Sequence, residues 1–552
     1  MAAVQIWLTK TVRYTAFLRS RLHLPRTSAS AAPLLLAACL SGCAMGPDFQ
    51  RPALPADAGL SPQPLPATTT ATPQQAAGAA QHFDAKQTIP ADWWTLFQSP
   101  ALNALIDAAL KNNPGIESAQ AALRQSQQYL AAQEGFFYPT VGVSYSPSRN
   151  KLAGNMGGNS PGIQGNGRLI QTYANPAGPK FNGPAYYSFH TAQLSLNYIP
   201  DVFGLNRRQV ESLEAQKNMQ RYQLEASYLT LTANLVAAAL QEASLRAQIE
   251  AAERIVELNR QTLNILQQQL ARGFVAEMDV AGQEAALAQA EQALIPLRAQ
   301  LHQTRNLLNA LAGNLPSQPL TQTFHLSDLH LPEALPLSLP SQLVEQRPDI
   351  RAAEEQFHAA SAAVGVAVAS RIPQFSLTAG IGGMAATPDW MFRAGGGFFN
   401  IVGNVSQALF DGGTLKAREQ AAREGLLQAA ADYRSTVITA FQNVADTLYV
   451  IQSDADALQA ADKSEQAQKR TFEISRRQYE RGFISYQLLL LAEQSYQQAI
   501  ISRIQAQTNR LGDTAALYQA LGGGWWNRTE ATSHTDDPTR QRAGDIHAEA
   551  KP

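Results

Sequence analysis

The sequence is short of several things at once. Its 552 residues include only two cysteines, and 16% of side chains are charged, with 43 Lys and Arg against 44 Asp and Glu. Two cysteines make no disulfide framework. Balanced charge provides no field for nucleic acid or an acidic substrate. No uninterrupted apolar run approaches the about 20 residues that a bilayer-spanning helix needs. Catalytic signatures are missing too: there is no HExxH, P-loop, GxSxG or cysteine–histidine cluster, and the nine histidines are scattered, His325 and His330 being the nearest pair. The Gly-rich "GIGG" and "AGGGFF" read as strand and loop residues, not as a phosphate cradle. No enzyme, cofactor or metal site is indicated. What is abundant is Ala and Gln, a mix suited to long helices packed through small side chains.

Both cysteines lie in "LLLAACLSGCAMGPDFQRP". Before it, Lys10, Arg13, Arg19, Arg21 and Arg26 lead into a short apolar segment, and no acid occurs before Asp48. That is the pattern of an export signal over 1–42. Leu40-Ser41-Gly42-Cys43 resembles the bacterial lipobox, which implies cleavage before Cys43 and a covalent lipid there, N-acyl and S-diacylglycerol. Cys39 would leave with the signal, and Ala44 after the cysteine implies the outer membrane. The other reading is an unprocessed, buried Cys43. Several acyl chains, at about 0.8 kcal/mol per buried CH₂, hold a chain stably on a membrane.

Beyond the signal the chain is written twice. Arg272-Gly273-Phe274 recurs as Arg481-Gly482-Phe483, and Gly204 recurs as Gly413, at one constant offset. Upstream, "NPGI" from Asn113 answers "RPDI" from Arg347 at a larger offset, the difference being a Gly/Asn/Pro-rich loop before Gly204. Each copy reads helix, strand, loop, strand, very long helix, turn, helix. The long helices are expected over 205–272 and 414–481. Apolar residues step by sevens through Ile249, Val256, Leu263 and Leu270, then Leu287, Leu294, Leu301 and Leu308, then Val437, Val444, Ile451 and Leu458, as in a coiled-coil seam. Pro296 is expected to kink its helix.

The segments before the long helices alternate instead. Val141, Val143 and Tyr145 interleave with small or polar residues, as do Leu194, Leu196 and Tyr198, then Phe375, Leu377 and Ile381, and less cleanly Ile401, Val405 and Leu409. These are four amphipathic strands, in hairpins at about 136–200 and 373–411. Four strands cannot close a membrane barrel, and an open edge in lipid leaves backbone groups unpaired at several kcal/mol each. Several chains must therefore share one barrel, and three chains, giving twelve strands, is the smaller arrangement with room for a pore. A soluble sandwich is the alternative.

Together these motifs resemble the TolC-like outer-membrane efflux proteins, in the lipoprotein branch serving RND pumps (OprM/NodT type). "CAMGPDFQRP", "WWTLFQSPALNALIDAALKNNPGI", "LVEQRPDIRAAEEQFHAASAAVGVAVASRIPQFSLTAGIG", "LFDGG" and the two Arg-Gly-Phe turns carry the resemblance, from Cys43 to about Trp526. It implies a mainly α fold with a membrane β part: a homotrimer sharing a 12-stranded barrel above a periplasmic tunnel of coiled-coil helices. It implies an outer-membrane channel subunit of a tripartite system, with a periplasmic adaptor (membrane fusion protein) and an inner-membrane RND pump as partners and outer-membrane lipid around it. The two turns would form the tip that meets the adaptor, placing Arg272, Gly273, Phe274, Arg481, Gly482 and Phe483 there.

One departure stands out. Several members of the family carry a carboxylate nine residues past the Gly of the second turn, ringing the closed pore; here that residue is Leu491, with Leu488 six past the Gly. Asp279 keeps an acid six past Gly273 in the first copy. The expectation is a mainly hydrophobic constriction closing by dry packing. The expected organisation is a signal over 1–42, lipid anchor and extended linker over 43–90, repeats over 91–316 and 317–526, and a disordered tail over 527–552. Competing readings are the channel of a type I secretion system and a lipid-anchored coiled-coil scaffold without a pore.

Overall fold

The computed structural model describes residues 44–53, 59–60, 66–73, 75–84, 87–151, 162–163, 169–170, 186–318, 320–337 and 340–528. Leu40, Ser41, Gly42 and Cys43, with most of the tail, lie outside them. In chain order the elements are β1 (His82–Asp84), α1 (Pro100–Asn112), α2 (Pro114–Glu134), β2 (Thr140–Lys151), β3 (Gly162–Ile163), β4 (Leu169–Ile170), β5 (Tyr186–Tyr198), α3 (Leu205–Ala271) and α4 (Glu277–Leu311). Then follow β6 (Ala334–Pro336), α5 (Pro340–Gln346), α6 (Pro348–Ala369), β7 (Gln374–Ala385), β8 (Gly397–Ser406), α7 (Thr414–Glu480) and α8 (Tyr486–Ala520).

The duplication is visible in the elements. Both α3 and α7 have 67 residues, and both α4 and α8 have 35. At 1.5 Å per residue the long pair spans about 100 Å. Their starts are alike: Gly204 and Gly413 take φ of +77° and +86°, and an upstream carboxylate accepts backbone N–H groups of the first turn, Asp201 from Asn206 and Arg207, Asp411 from Gly413 and Leu415. The "NP" and "RP" dipeptides are helix starts. Asn113 caps α2 by accepting from the N–H groups of Gly115 and Ile116, with Pro114 where a missing donor costs nothing. Arg347 precedes Pro348 of α6 and reaches the Ala520 carbonyl at 2.8 Å, tying the end of α8 to the second repeat's start.

Packing follows the heptads. Hairpin α3–α4 and hairpin α7–α8 each zip along their length, α2 lies on α3, and α6 lies between α3 and α7. Ile249, Val256, Leu287 and Leu294 form one cluster, while Val444, Ile451 and Leu308 join the main core with Trp93, Phe97 and Phe324. Pro296 sits inside α4 without ending it.

Two expectations change. Residues 66–84 are not a plain linker: β1 pairs with β6, and Arg510 of α8, fully buried, donates to Thr69 Oγ1 and the Ala79 carbonyl. Gln75 donates to Asp462 of α7 at 2.7 Å, so this stretch straps hairpin α7–α8. Leu409 is not a strand residue, because β8 ends at Ser406 and the Leu409 side chain projects free of the sheet.

Candidate functional site: a membrane sheet above a paired helical tip

The four long strands form one antiparallel sheet in the order β2-β5-β7-β8. Its register sorts the side chains. Val143, Leu194, Ile381 and Phe399 form one cross-strand row and Val141, Leu196, Ala379 and Ile401 the next, all on one face. Gly142, Ser195, Gly380 and Asn400 form the adjacent row on the other face. The apolar face is bare: Val143 is 82% and Ile401 72% exposed. On the polar face, a Cβ at Gly380 would lie 2.4 Å from Asn400 Oδ1 and 2.6 Å from Gln193 Nε2, so polar side chains converge over the glycine.

Strand β7, with 12 residues, is about 40 Å long, or about 30 Å of height at a barrel-like tilt. Exposed Tyr138, Ile199 and Phe410 lie beyond one end of the sheet, and exposed Phe392 lies in the β7–β8 loop beyond the other. An apolar band with aromatic rims is the pattern of a membrane β-sheet. The outer strands β2 and β8 have no second partner among the described residues.

At the far end of the long helices are the two turns. Gly273 has φ +77° and Gly482 +76°, and nothing lies within 4 Å of a Cβ built on either, so the backbone alone demands glycine. Gly273 N–H donates to the Leu270 carbonyl and Phe274 N–H to that of Gln269; Gly482 and Phe483 repeat this with Tyr479 and Gln478. This is the Schellman pattern. It normally folds its apolar residue back on the helix, yet Phe274 and Phe483 are 75% and 74% exposed. Arg272 and Arg481 are exposed beside them.

The turns are held together side by side. Leu266, Val280, Tyr486 and Leu489 make a buried cluster shared by both hairpins. Through it runs a polar chain that the sequence motifs do not announce: Tyr486 donates to Gln283 Oε1, and Gln283 Nε2 donates to the Asn259 carbonyl and Oδ1, both at 2.8 Å. Burial raises the Tyr486 pKa, keeping the phenol a donor. A signal for it does exist in the heptads. Asn259 sits in the heptad series Val256, Leu263, Leu270 at the place of its alternate apolar residue, and Gln283 does so between Val280 and Leu287. Polar residues in such seams fix register.

The three constriction candidates separate. Leu488 and Leu491, one helical turn apart on α8, are 54% and 59% exposed and stay outside the shared cluster. Asp279 turns inward on its own helix, accepting from the Ala276 N–H at 3.2 Å as half of a capping box. Among the described residues no group of acids, histidines and cysteines is arranged to hold a metal.

A sheet that is apolar outside, polar inside and open at both edges, carried on two duplicated 100 Å hairpins, agrees with the comparisons. The family model described as "Outer membrane efflux protein" matches residues 105–314 and 339–523. The chain belongs to this family. Among curated members, the cation efflux system protein CusC of Escherichia coli O6:H1 is 26% identical over 493 residues, covering 89% of this chain and 98% of CusC. The pyoverdine export outer membrane protein OpmQ of Pseudomonas aeruginosa is 29% identical over 494 residues, covering 87% and 96%. Among solved structures, the outer-membrane channel OprN superposes with a TM-score of 0.73 at 25% identity, covering 88% of this chain and all of OprN. The Campylobacter jejuni outer membrane channel CmeC gives 0.73 at 21% identity, covering 91% and 98%, which shows the shared fold. This outer membrane efflux protein is thus a channel-family chain, with its sheet in the outer membrane and its helices in the periplasm.

Proposed function

We propose that the chain is the outer-membrane channel subunit of a tripartite RND-type efflux system, passing small molecules from pump and adaptor to the exterior. The observation that carries this is the sheet with one apolar face and two unpaired edges. Strand β8 of one copy would pair with β2 of the next, and three copies would close twelve strands around the polar face. The exposed Phe274 and Phe483, with Arg272 and Arg481 beside them, suit docking of a helical adaptor. Leu488 and Leu491 of three copies would meet at the closed periplasmic end as a dry constriction, with Asp279 serving the helix cap. Cys43 would carry the lipid. The curated relatives named for cations and for pyoverdine handle unlike cargoes, so cargo choice is assigned to the pump, and no catalytic role to this chain.

The test is native mass and conductance. Mature protein purified from outer membranes should be a detergent-resistant trimer that forms channels in planar bilayers, and Leu488→Ser/Leu491→Ser should raise closed-state ion conductance. A monomer without channel activity refutes the reading in favour of a poreless scaffold.

A further inference from the structure

The residues that follow Cys43 do not dangle. Met45 N–H donates to the Phe203 carbonyl at 3.3 Å, and Ala44 lies so close to Gly204 that a Cβ on that glycine would come within 2.8 Å of its Cα. Gly46, at φ +99°, faces Gly365 of α6, where a Cβ on Gly46 would reach the Gly365 Cα at 2.4 Å. Arg208 of α3, its side chain 5% exposed, grips the segment from beneath: it donates to the Met45 carbonyl at 3.0 Å, to Asp48 Oδ1 at 2.7 Å and to Glu211 at 2.6 Å. The Phe49 ring stacks on His358 at 4.5 Å and meets Phe357 edge-on at 5.4 Å. Arg51 closes the run with an ion pair to Glu354 at 3.1 Å. Every one of these partners lies on α3, α6 or the β5–α3 junction, just below the sheet.

We propose that residues 44–51 and the cradle of Gly204, Arg208, Phe357, His358 and Gly365 form a rigid seat that fixes where the lipid anchor enters the inner leaflet of the outer membrane, at the junction of the two repeats. The inference rests on acylation of Cys43. The physical argument is economy of freedom. An anchor alone tolerates any tether, and a tether would be solvated and rich in freely chosen residues. Here two glycines are opposed so that backbones touch, a buried guanidinium commits its donors to carbonyl and carboxylate partners of the segment, and a ring is stacked. A cis-acting seat removes the slack: Cys43 is one peptide, about 3.8 Å, from a fixed Ala44. Its acyl chains would then rise into the leaflet near Phe203, which meets Phe375 at the start of β7 at 6.1 Å. Arg208 is a positioning residue, acting on the anchor through the backbone of Met45.

The experiment uses full-length protein matured in outer membranes. Mass spectrometry of the N-terminal peptide comes first, and an unmodified Cys43 overturns the anchor reading, separately from the seat. Nitroxides at Gln50→Cys and Gln216→Cys then report the distance between segment and α3 by double electron–electron resonance. With labelled chains diluted into trimers of unlabelled ones, the seat predicts one narrow distance peak in the parent protein, lost in Arg208→Ala while acylation and trimer persist. Gly365→Ala is the second variant: it adds a better helix former yet drives a methyl at both the Arg208 Cγ and the Met45 carbonyl, each 2.8 Å from the built Cβ. It should keep or raise the thermal midpoint of the helical body and still lose the narrow peak, which a merely structural role for this contact would not do. A broad peak in the parent protein, or a narrow one surviving both substitutions, overturns the proposal.

Discussion

Neighbouring residues on β8 provide the sharpest test of the membrane sheet. Asn400 and Ile401 are adjacent, yet register places Asn400 opposite Gly380 on the polar face and Ile401 opposite Ala379 on the apolar one. A lysine at 401 would point at hydrocarbon near mid-sheet, a placement that costs about 2–4 kcal/mol at the bilayer midplane. If three copies share one barrel as proposed, the trimer would lose about 6–12 kcal/mol, comparable with the whole stability of a domain. A lysine at 400 would point into a wet lumen and carry no hydrocarbon penalty, while adding positive charge to the pore. The assay is folding into vesicles, read as the fraction of heat-resistant trimer on a semi-native gel. Ile401→Lys should leave little trimer; Asn400→Lys should assemble like the parent and conduct with lowered cation selectivity. Equal assembly of the two variants, or the reverse order, would refute the assignment of faces and with it the barrel.

Gly482→Ala should lower the stability of the tip by about 1–2 kcal/mol through the left-handed backbone alone, since no atom crowds the site, as a fall in local protection of α8's first turn by hydrogen exchange. Asp279→Ala removes the contact to the Ala276 N–H and should cost α4 about 1 kcal/mol, measured the same way, with little change in ion selectivity. Breaking the polar chain by Gln283→Leu takes the Gln283 partner from the buried Tyr486 hydroxyl and from Asn259 Oδ1, whose Nδ2 keeps its bond to the Ile255 carbonyl, a loss of about 1–3 kcal/mol that should appear as raised exchange at both turns; Tyr486→Phe should be milder. The Asp454 carboxyl on α7 is pushed up to about 8 by burial and by the neighbouring Asp513, against an opposing pull from Arg510. The folded state then holds a proton that the unfolded chain releases near pH ~4, so stability falls as pH rises from about 4 to about 8 and levels off beyond. Asp454→Asn should flatten the thermal midpoint across that window.

What can be read from the sequence is what local chemistry decides. Period-two alternation locates the four strands because each carries one apolar and one polar or small-residue face; sevens locate the hairpins because α3 packs along α4 and α7 along α8; the Arg-Gly-Phe glycines locate the tips because φ near +77° admits little else. Leu409 misleads because alternation continues by chance past Ser406 into a loop. The strap over 66–84 is illegible for another reason. Its Ala, Pro and Thr composition is that of a linker, and its order comes from Gln75, Thr69 and Ala79 meeting Asp462 and Arg510, partners more than 380 residues away along the chain. Long-range hydrogen bonds leave no period to detect.

Asn259 and Gln283 fall between these cases. Each interrupts an apolar seam at the position where a hydrophobic residue would serve helix pairing better, and neither has a local partner of its own kind. That pattern is detectable in the order of residues alone, and its meaning is specific: one buried amide in a seam costs stability, whereas two that face each other across neighbouring helices, with a tyrosine hydroxyl on a third, satisfy one another and penalise every other register. The chain therefore sets the alignment of its two hairpins at the one end where neither the membrane sheet nor the main core is present to do so, and it does so beside the turns on which docking of a partner is proposed to depend.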